Sequence, residues 1–83
     1  MKTDYKEAFL NRGNAKGAMK NYTGSIEDYN RVLSLNPDEA QAYGNRGISK
    51  LNMNDRKGAC EDLQKAAYLG DEQSEKVLQR VCR

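Results

Sequence analysis

Apolar and small residues return along this chain at intervals of three and four, between short polar breaks, and that rhythm predicts helices throughout. Asp4 followed by Glu7 has the form of a capping box with aspartate in the capping place, so a first helix is predicted to begin near Tyr5. Tyr5, Ala8, Phe9, Gly13 and Met19 make its packing stripe, with the aliphatic stems of Arg12 and Lys16 laid alongside. Lys20-Asn21 breaks the pattern, and Asn21 suits the N-cap of a second helix, roughly Tyr22 to Leu35. There Ile26, Tyr29, Val32 and Leu33 share one side, and Glu27, Asp28 and Arg31 the other. Asn36-Pro37-Asp38-Glu39 ends that helix and starts a third, with Pro37 suited to the first helical position and the acids to the positive end of the dipole. The third helix is predicted to reach about Met53, and Asn54-Asp55 turns the chain into a fourth. Its small-residue face comprises Ala59, Cys60, Leu63, Ala66, Ala67 and Leu69. Gly70-Asp71 is a stop followed by a new cap. A fifth helix, Glu72 to about Val81, places Val77, Leu78, Val81 and Cys82 on one face and Glu75, Lys76, Gln79 and Arg80 on the other.

The same pattern occurs twice. A shift of 34 residues superposes Ala8, Asn11, Arg12, Gly13, Lys16, Met19, Gly24, Glu27, Asp28 and Leu35 on identical residues, Phe9 on Tyr43 and Arg31 on Lys65. The segment Ala42-Tyr43-Gly44-Asn45-Arg46-Gly47 thus restates Ala8-Phe9-Leu10-Asn11-Arg12-Gly13. A period of this length, with an aromatic, a glycine four positions later and small residues further on, resembles the tetratricopeptide repeat, a helix-turn-helix unit that stacks into a solenoid. Phe9 and Tyr43 match the family's large aromatic, Gly13 and Gly47 its close-contact glycine, Ser25 and Ala59 its first small residue in the second helix, Val32 and Ala66 the next, and Pro37 the proline that ends a repeat. Asp71 stands where the second proline is expected.

The resemblance implies an all-α fold, a right-handed superhelical stack of antiparallel helix pairs with five helices. One domain over 1–83 is expected, with repeats at 6–39 and 40–73 and a capping helix at 72–82. It also implies a glycine where Lys20 stands, so Lys20 is expected to carry left-handed backbone strain. The fifth helix covers the open side of the last repeat, as capping units of solenoids do. No equivalent cap precedes Tyr5, which points either to a fragment of a longer array or to an N-terminal edge used in self-association.

Composition narrows the function classes. At 83 residues the chain buries a modest core; 37% hydrophobic and 31% charged residues suit amphipathic helices. The net charge of +2 comes from basic residues mixed with acids, so no continuous basic stripe offers itself to a phosphate backbone, and no nucleic acid partner is expected. No apolar run approaches a membrane span and none forms a signal-peptide core, leaving the cytoplasm as a weak default with no membrane partner. With no histidine and two distant cysteines, Cys60 and Cys82, no metal site is expected. The cysteines are read as buried or half-buried thiols on apolar helix faces; a disulfide between them has no support in the sequence. The adjacent acids Glu27-Asp28 and Glu61-Asp62 point about 100° apart on a helix, so they converge on no substrate and read as a solvated face. No phosphate loop and no nucleophile with a base is present, so neither an enzyme nor a cofactor is expected.

The family resemblance places a concave face on the first helix of each pair. Its groove positions fall on Glu7, Leu10, Asn11, Asn14 and Gly17, and on Gln41, Gly44, Asn45, Ile48 and Asn52. Asn11 and Asn45 recur in phase, and a carboxamide offers an acceptor and two donors to a peptide backbone whatever its sequence. The family's asparagine ladder is therefore expected on these two, with Leu10 and Ile48 giving apolar contact; the alternative is that they bond only neighbouring helices or water. Arg12 and Arg46 are read as stems snorkelling over the helix pair, with carboxylate binding as the other reading. Asn14 and Asn45 match two positions of the carboxylate clamp found in some members. However, Leu10 replaces its lysine, and the capping helix replaces the repeat that supplies two further basic residues. Gly24 and Gly58 are attributed to close helix packing. The expected function is a scaffold binding a peptide segment of a protein partner; the alternative is a structural or self-associating array end, with a homodimer through the uncovered first helix as one form of it.

Overall fold

The computed structural model describes residues 2–82, with side chains from Tyr5 onward. They form five helices: α1 (Lys2–Ala18), α2 (Tyr22–Leu35), α3 (Ala40–Asn52), α4 (Arg56–Tyr68) and α5 (Glu72–Val81). Each helix packs chiefly on its chain neighbours, building α1/α2 and α3/α4 pairs with α5 on α4. No strand is present among the described residues, and the all-α stack expected from the sequence is the observed architecture.

Local chemistry sets the breaks. Asn21 and Asp55 cap α2 and α4 by accepting from the backbone N–H of Gly24 and Gly58, at 3.1 and 3.0 Å. Those glycines serve the caps rather than close helix packing, since a Cβ at either would enter the space of the capping side chain. Helices α1, α3 and α4 end in a left-handed residue, Lys20 at φ 66°, Asn54 at φ 65° and Gly70 at φ 103°. The next N–H turns back into the helix each time: Asn21 to Lys16, Asp55 to Lys50 and Asp71 to Ala66. Lys20 thus adopts the conformation expected of it, at the cost attached to a side chain in that region.

Two boundaries differ from expectation. Helix α1 already includes Lys2, so the backbone at Asp4 is helical, and the capping role expected of its side chain lies outside the described residues. Pro37 belongs to the turn; Glu39 is the N-cap of α3, and its carboxylate holds Lys6 of α1 at 3.2 Å instead of a backbone N–H.

Burial follows neighbour count. Helix α2 has α1 on one side and α3 on the other, so Ser25, Asp28, Tyr29 and Val32 are all buried, and the Ser25 and Ser49 hydroxyls meet at 2.8 Å between α2 and α3. Leu10, Tyr29, Val32 and Ala42 form one core cluster, while Ala59, Leu63 and Ala66 are fully buried in the second pair. Helix α1 has no such second neighbour. Of its expected stripe, Gly13 is buried and Phe9 half-buried, but Tyr5, Ala8 and Met19 are exposed; Ala42, the counterpart of Ala8, is fully buried because α2 lies in front of it.

Cys60 and Cys82 are bonded to each other, tying the C-terminal end of α5 to α4. This overturns the reading of free thiols. Distance along the chain hid the pair, because only the return of α5 across α4 brings the two Cα atoms to 5.8 Å. Arg56 of α4 adds a second tie by donating to the carbonyl oxygen of Val81.

Candidate functional site

Two buried aspartates organise the helix pairs. Asp28 of α2 takes the Arg12 guanidinium in a fork, Nε to Oδ2 at 2.9 Å and Nη2 to Oδ1 at 2.8 Å. Arg46 and Asp62 repeat the fork between α3 and α4 at 2.8 and 2.7 Å. Lys16 and Lys50 approach the same carboxylates at 3.3 and 3.0 Å. A carboxylate taken out of water requires this pairing. The hydrogen bond from Arg12 outweighs the cost of burial and holds Asp28 down to about pKa 2, while the aspartates push both arginines up. The solvated face read from Glu27-Asp28 and Glu61-Asp62 is therefore half correct: Glu27 and Glu61 are exposed, whereas Asp28 and Asp62 are structural anions between helices. The arginines are more than snorkelling stems, since each guanidinium is a bidentate partner in its helix pair.

An open recess of about 400 Å³ lies where α1 and α3 run side by side, with α2 contributing its floor. Asn14 and Gly17 come from α1, Tyr22 and Tyr29 from α2, and Gln41, Asn45, Ile48 and Asn52 from α3. Tyr29 has its ring in the core and donates its hydroxyl to Asn14 Oδ1 at 2.6 Å; Asn45 Nδ2 donates to the same oxygen at 2.9 Å. This arrangement leaves the Asn14 amino group and the Asn45 carbonyl oxygen without protein partners among the described residues. Burial, aided by the Asp28 charge, pushes the Tyr29 phenol up to about 12, so it remains a neutral donor across the physiological range.

Six of the ten expected groove positions, Asn14, Gly17, Gln41, Asn45, Ile48 and Asn52, line this recess. Glu7 and Asn11 are exposed elsewhere on α1. Leu10 is withdrawn into the core at 5% exposure, because its position on α1 faces the junction with α2 and α3. The in-phase pair Asn11 and Asn45 does not meet; Asn45 meets Asn14, since successive repeats are offset along the stack and equal phase does not mean adjacency. Sequence reasoning missed Tyr22 and Tyr29 as lining residues. A tyrosine on a core face is the available signal, because its hydroxyl needs a partner when the ring is buried. No group of acids or cysteines able to hold a metal is present among the described residues.

Antiparallel helix pairs repeated at a 34-residue interval, with a recess along the first helices, define a helical repeat protein. Residues 6–39 match a family model described as the tetratricopeptide repeat, and residues 40–69 match a second model of the same description. The chain belongs to the tetratricopeptide repeat family, whose repeats generally mediate protein-protein interaction. No match was found among curated proteins. No helix of the described residues is long and apolar enough to cross a membrane.

Proposed function

We propose that this chain is an interaction module that binds an extended segment of a protein partner in the recess between α1 and α3. The observation that carries the reading is the Asn14–Asn45 pair. Its two carboxamides are oriented by one shared oxygen and by Tyr29, so one donor and one acceptor stand ready at the spacing of neighbouring side chains. A peptide backbone offers the complementary pair at every residue. Ile48, 39% exposed, supplies the apolar contact, and Gln41 and Asn52 flank it with further carboxamides. No cationic side chain lines the recess, which favours backbone recognition over a grip on a terminal carboxylate. A binding role without catalysis fits the commitment of Asp28 and Asp62 to ion pairs and of both cysteines to each other.

The test is capture of partners from an extract of the source cells by the wild-type chain and by an Asn14→Ala, Asn45→Ala variant of unchanged helicity. Proteins retained by the first and lost by the second support the recess. Identical captures by both overturn it.

Self-association through the Tyr5 and Met19 positions of α1, 61% and 72% exposed, is a second reading, in a packing that keeps the Arg12 and Arg31 cations of the two copies apart. Sedimentation showing a concentration-independent monomer removes it.

A further inference from the structure

Arg12 and Arg46 hold the same station 34 residues apart, and both lay the Nε–Nη2 edge of the guanidinium along a buried aspartate. They differ at the other edge. Nη1 of Arg46 donates to Oδ1 of Asn30 at 2.8 Å, an oxygen that α2 brings with it when it docks on α3; the Arg46 side chain is left 19% exposed. Among the described residues no helix stands in front of α1. Among the described residues nothing accepts from Nη1 of Arg12, and its side chain is 54% exposed.

The surroundings differ in charge as well. Arg31 donates to the same Asp28 Oδ1 at 2.9 Å while remaining half exposed, and the Arg12 and Arg31 guanidiniums lie over one ring, that of Phe9, at 5.5 and 5.7 Å. Lys65, the counterpart of Arg31, turns away from Asp62 to the ring of Tyr68. Three cations therefore gather on Asp28, Arg12, Lys16 and Arg31, leaving an excess of two positive charges; Arg46 and Lys50 on Asp62 leave an excess of one.

We propose that the exposed edge of α1 binds an acidic side chain of a protein partner, whose carboxylate lies across the free edges of Arg12 and Arg31 as Asn30 lies on Arg46. The partner segment is a helix docked on α1 in the manner of α2 on α3, the template that the fold itself provides. A neutral carboxamide suffices at Arg46. At Arg12 the larger excess of charge and the two adjacent forks call for an anionic acceptor, and a planar carboxylate matches a guanidinium edge. A second copy of this chain related by a two-fold axis is disfavoured, because it sets one cationic cluster against another. This surface shares no residue with the recess and does not depend on that reading.

The test uses the full chain and three synthetic helical peptides with the same Ala/Leu face, flanked by glutamate, by glutamine or by phosphoserine. Binding and the side-chain Nε–H signals of Arg12 and Arg31 are followed by NMR at low and moderate salt. The glutamate peptide is expected to bind at least tenfold tighter than the glutamine peptide, to move both arginine signals, and to weaken as salt rises. Arg31→Gln, which leaves Asp28 paired with Arg12 and Lys16, is expected to reduce that affinity at least fivefold, and Arg31→Lys to restore it only in part. The Asn14→Ala, Asn45→Ala variant is expected to bind the glutamate peptide as the wild type does. Equal affinity for glutamate and glutamine peptides, signals that move only in the recess, or an unaffected Arg31→Gln variant overturns the proposal. Preference for phosphoserine with none for glutamate overturns the carboxylate assignment. Saturation of the same signals by inorganic phosphate alone, at concentrations where the glutamate peptide shows no binding, overturns the protein partner.

Discussion

Asp28 is the residue on which the first helix pair depends most. Its carboxyl, held near pKa 2 by Arg12, is charged in the folded chain well below the pH at which an unfolded aspartate takes up its proton. The sign follows from linkage: a depressed acid stabilises the fold above its unfolded pKa of about 4, and that contribution is lost as pH falls from about 4 to 2. With solvent screening by the half-exposed arginines allowed for, it amounts to roughly 1–2 kcal/mol. Denaturant unfolding followed between pH 6 and 2 should show this loss, and Asp28→Asn should remove that part of the dependence. Two glycines make a second contrast. A Cβ at Gly47 would lie 3.1 Å from the Ala59 carbonyl oxygen and 3.0 Å from Leu63 Cγ, whereas at Gly17 it would meet nothing closer than Ser25 Cβ at 3.8 Å. Gly47→Ala is expected to lower stability by about 1–3 kcal/mol. Gly17→Ala is expected to raise it by about 0.5–1 kcal/mol through helix propensity. Thermal melts of the two variants check both signs.

At the scale of the element, α5 is the helix least able to stand alone. It has 10 residues, of which Ser74 and Val77 are its buried ones, and a helix that short has little stability in water without tertiary contacts. Its cap Asp71 holds the Ser74 hydroxyl rather than a backbone N–H. The bond from Cys60 to Cys82 therefore has a large effect, since it closes a loop across a sequence separation of 22. Cross-linking a loop of that size stabilises by about 3 kcal/mol through the unfolded ensemble. Cys82→Ser is expected to lower stability by about that amount, and amide exchange in α5 should accelerate more than in α2. A variant that melts like the wild type would show that noncovalent contacts, the Arg56–Val81 hydrogen bond among them, suffice to hold α5.

At the scale of the molecule, the stack is close to one-dimensional: each helix gains its stability from the helices before and after it. Helices α2, α3 and α4 have neighbours on both sides, α1 and α5 on one. Native-state hydrogen exchange should therefore show the strongest protection in α2, α3 and α4 and loss toward both ends. Uniform protection along the chain would indicate one cooperative unit instead. The two ends also differ in kind. Helix α5 is covalently tied to α4, and the edge at α1 presents half-exposed cationic forks.

The elements and their repetition follow from local sequence alone. Turns at Lys20, Asn54 and Gly70, caps at Asn21 and Asp55 and the 34-residue period are local features, set by backbone sterics and nearby hydrogen bonds, and they were legible without any fold. That Asn14 and Gly17 of α1 share one face, and Gln41, Asn45, Ile48 and Asn52 of α3 another, was legible too, because helical phase within a repeat places them there. The remaining features depend on which residues of different helices meet. Asp28 reads as solvated from its neighbours in sequence and is buried because α1 delivers Arg12 to it. Leu10 has a groove phase and a core location, since the helix pair closes over it. Asn45 finds Asn14 rather than Asn11 through the offset between repeats, and Cys60 finds Cys82 through the return of α5. Periodicity specifies the face a residue occupies on its own helix; the distance and offset between helices specify its partner, and those are fixed by the packing of the whole stack.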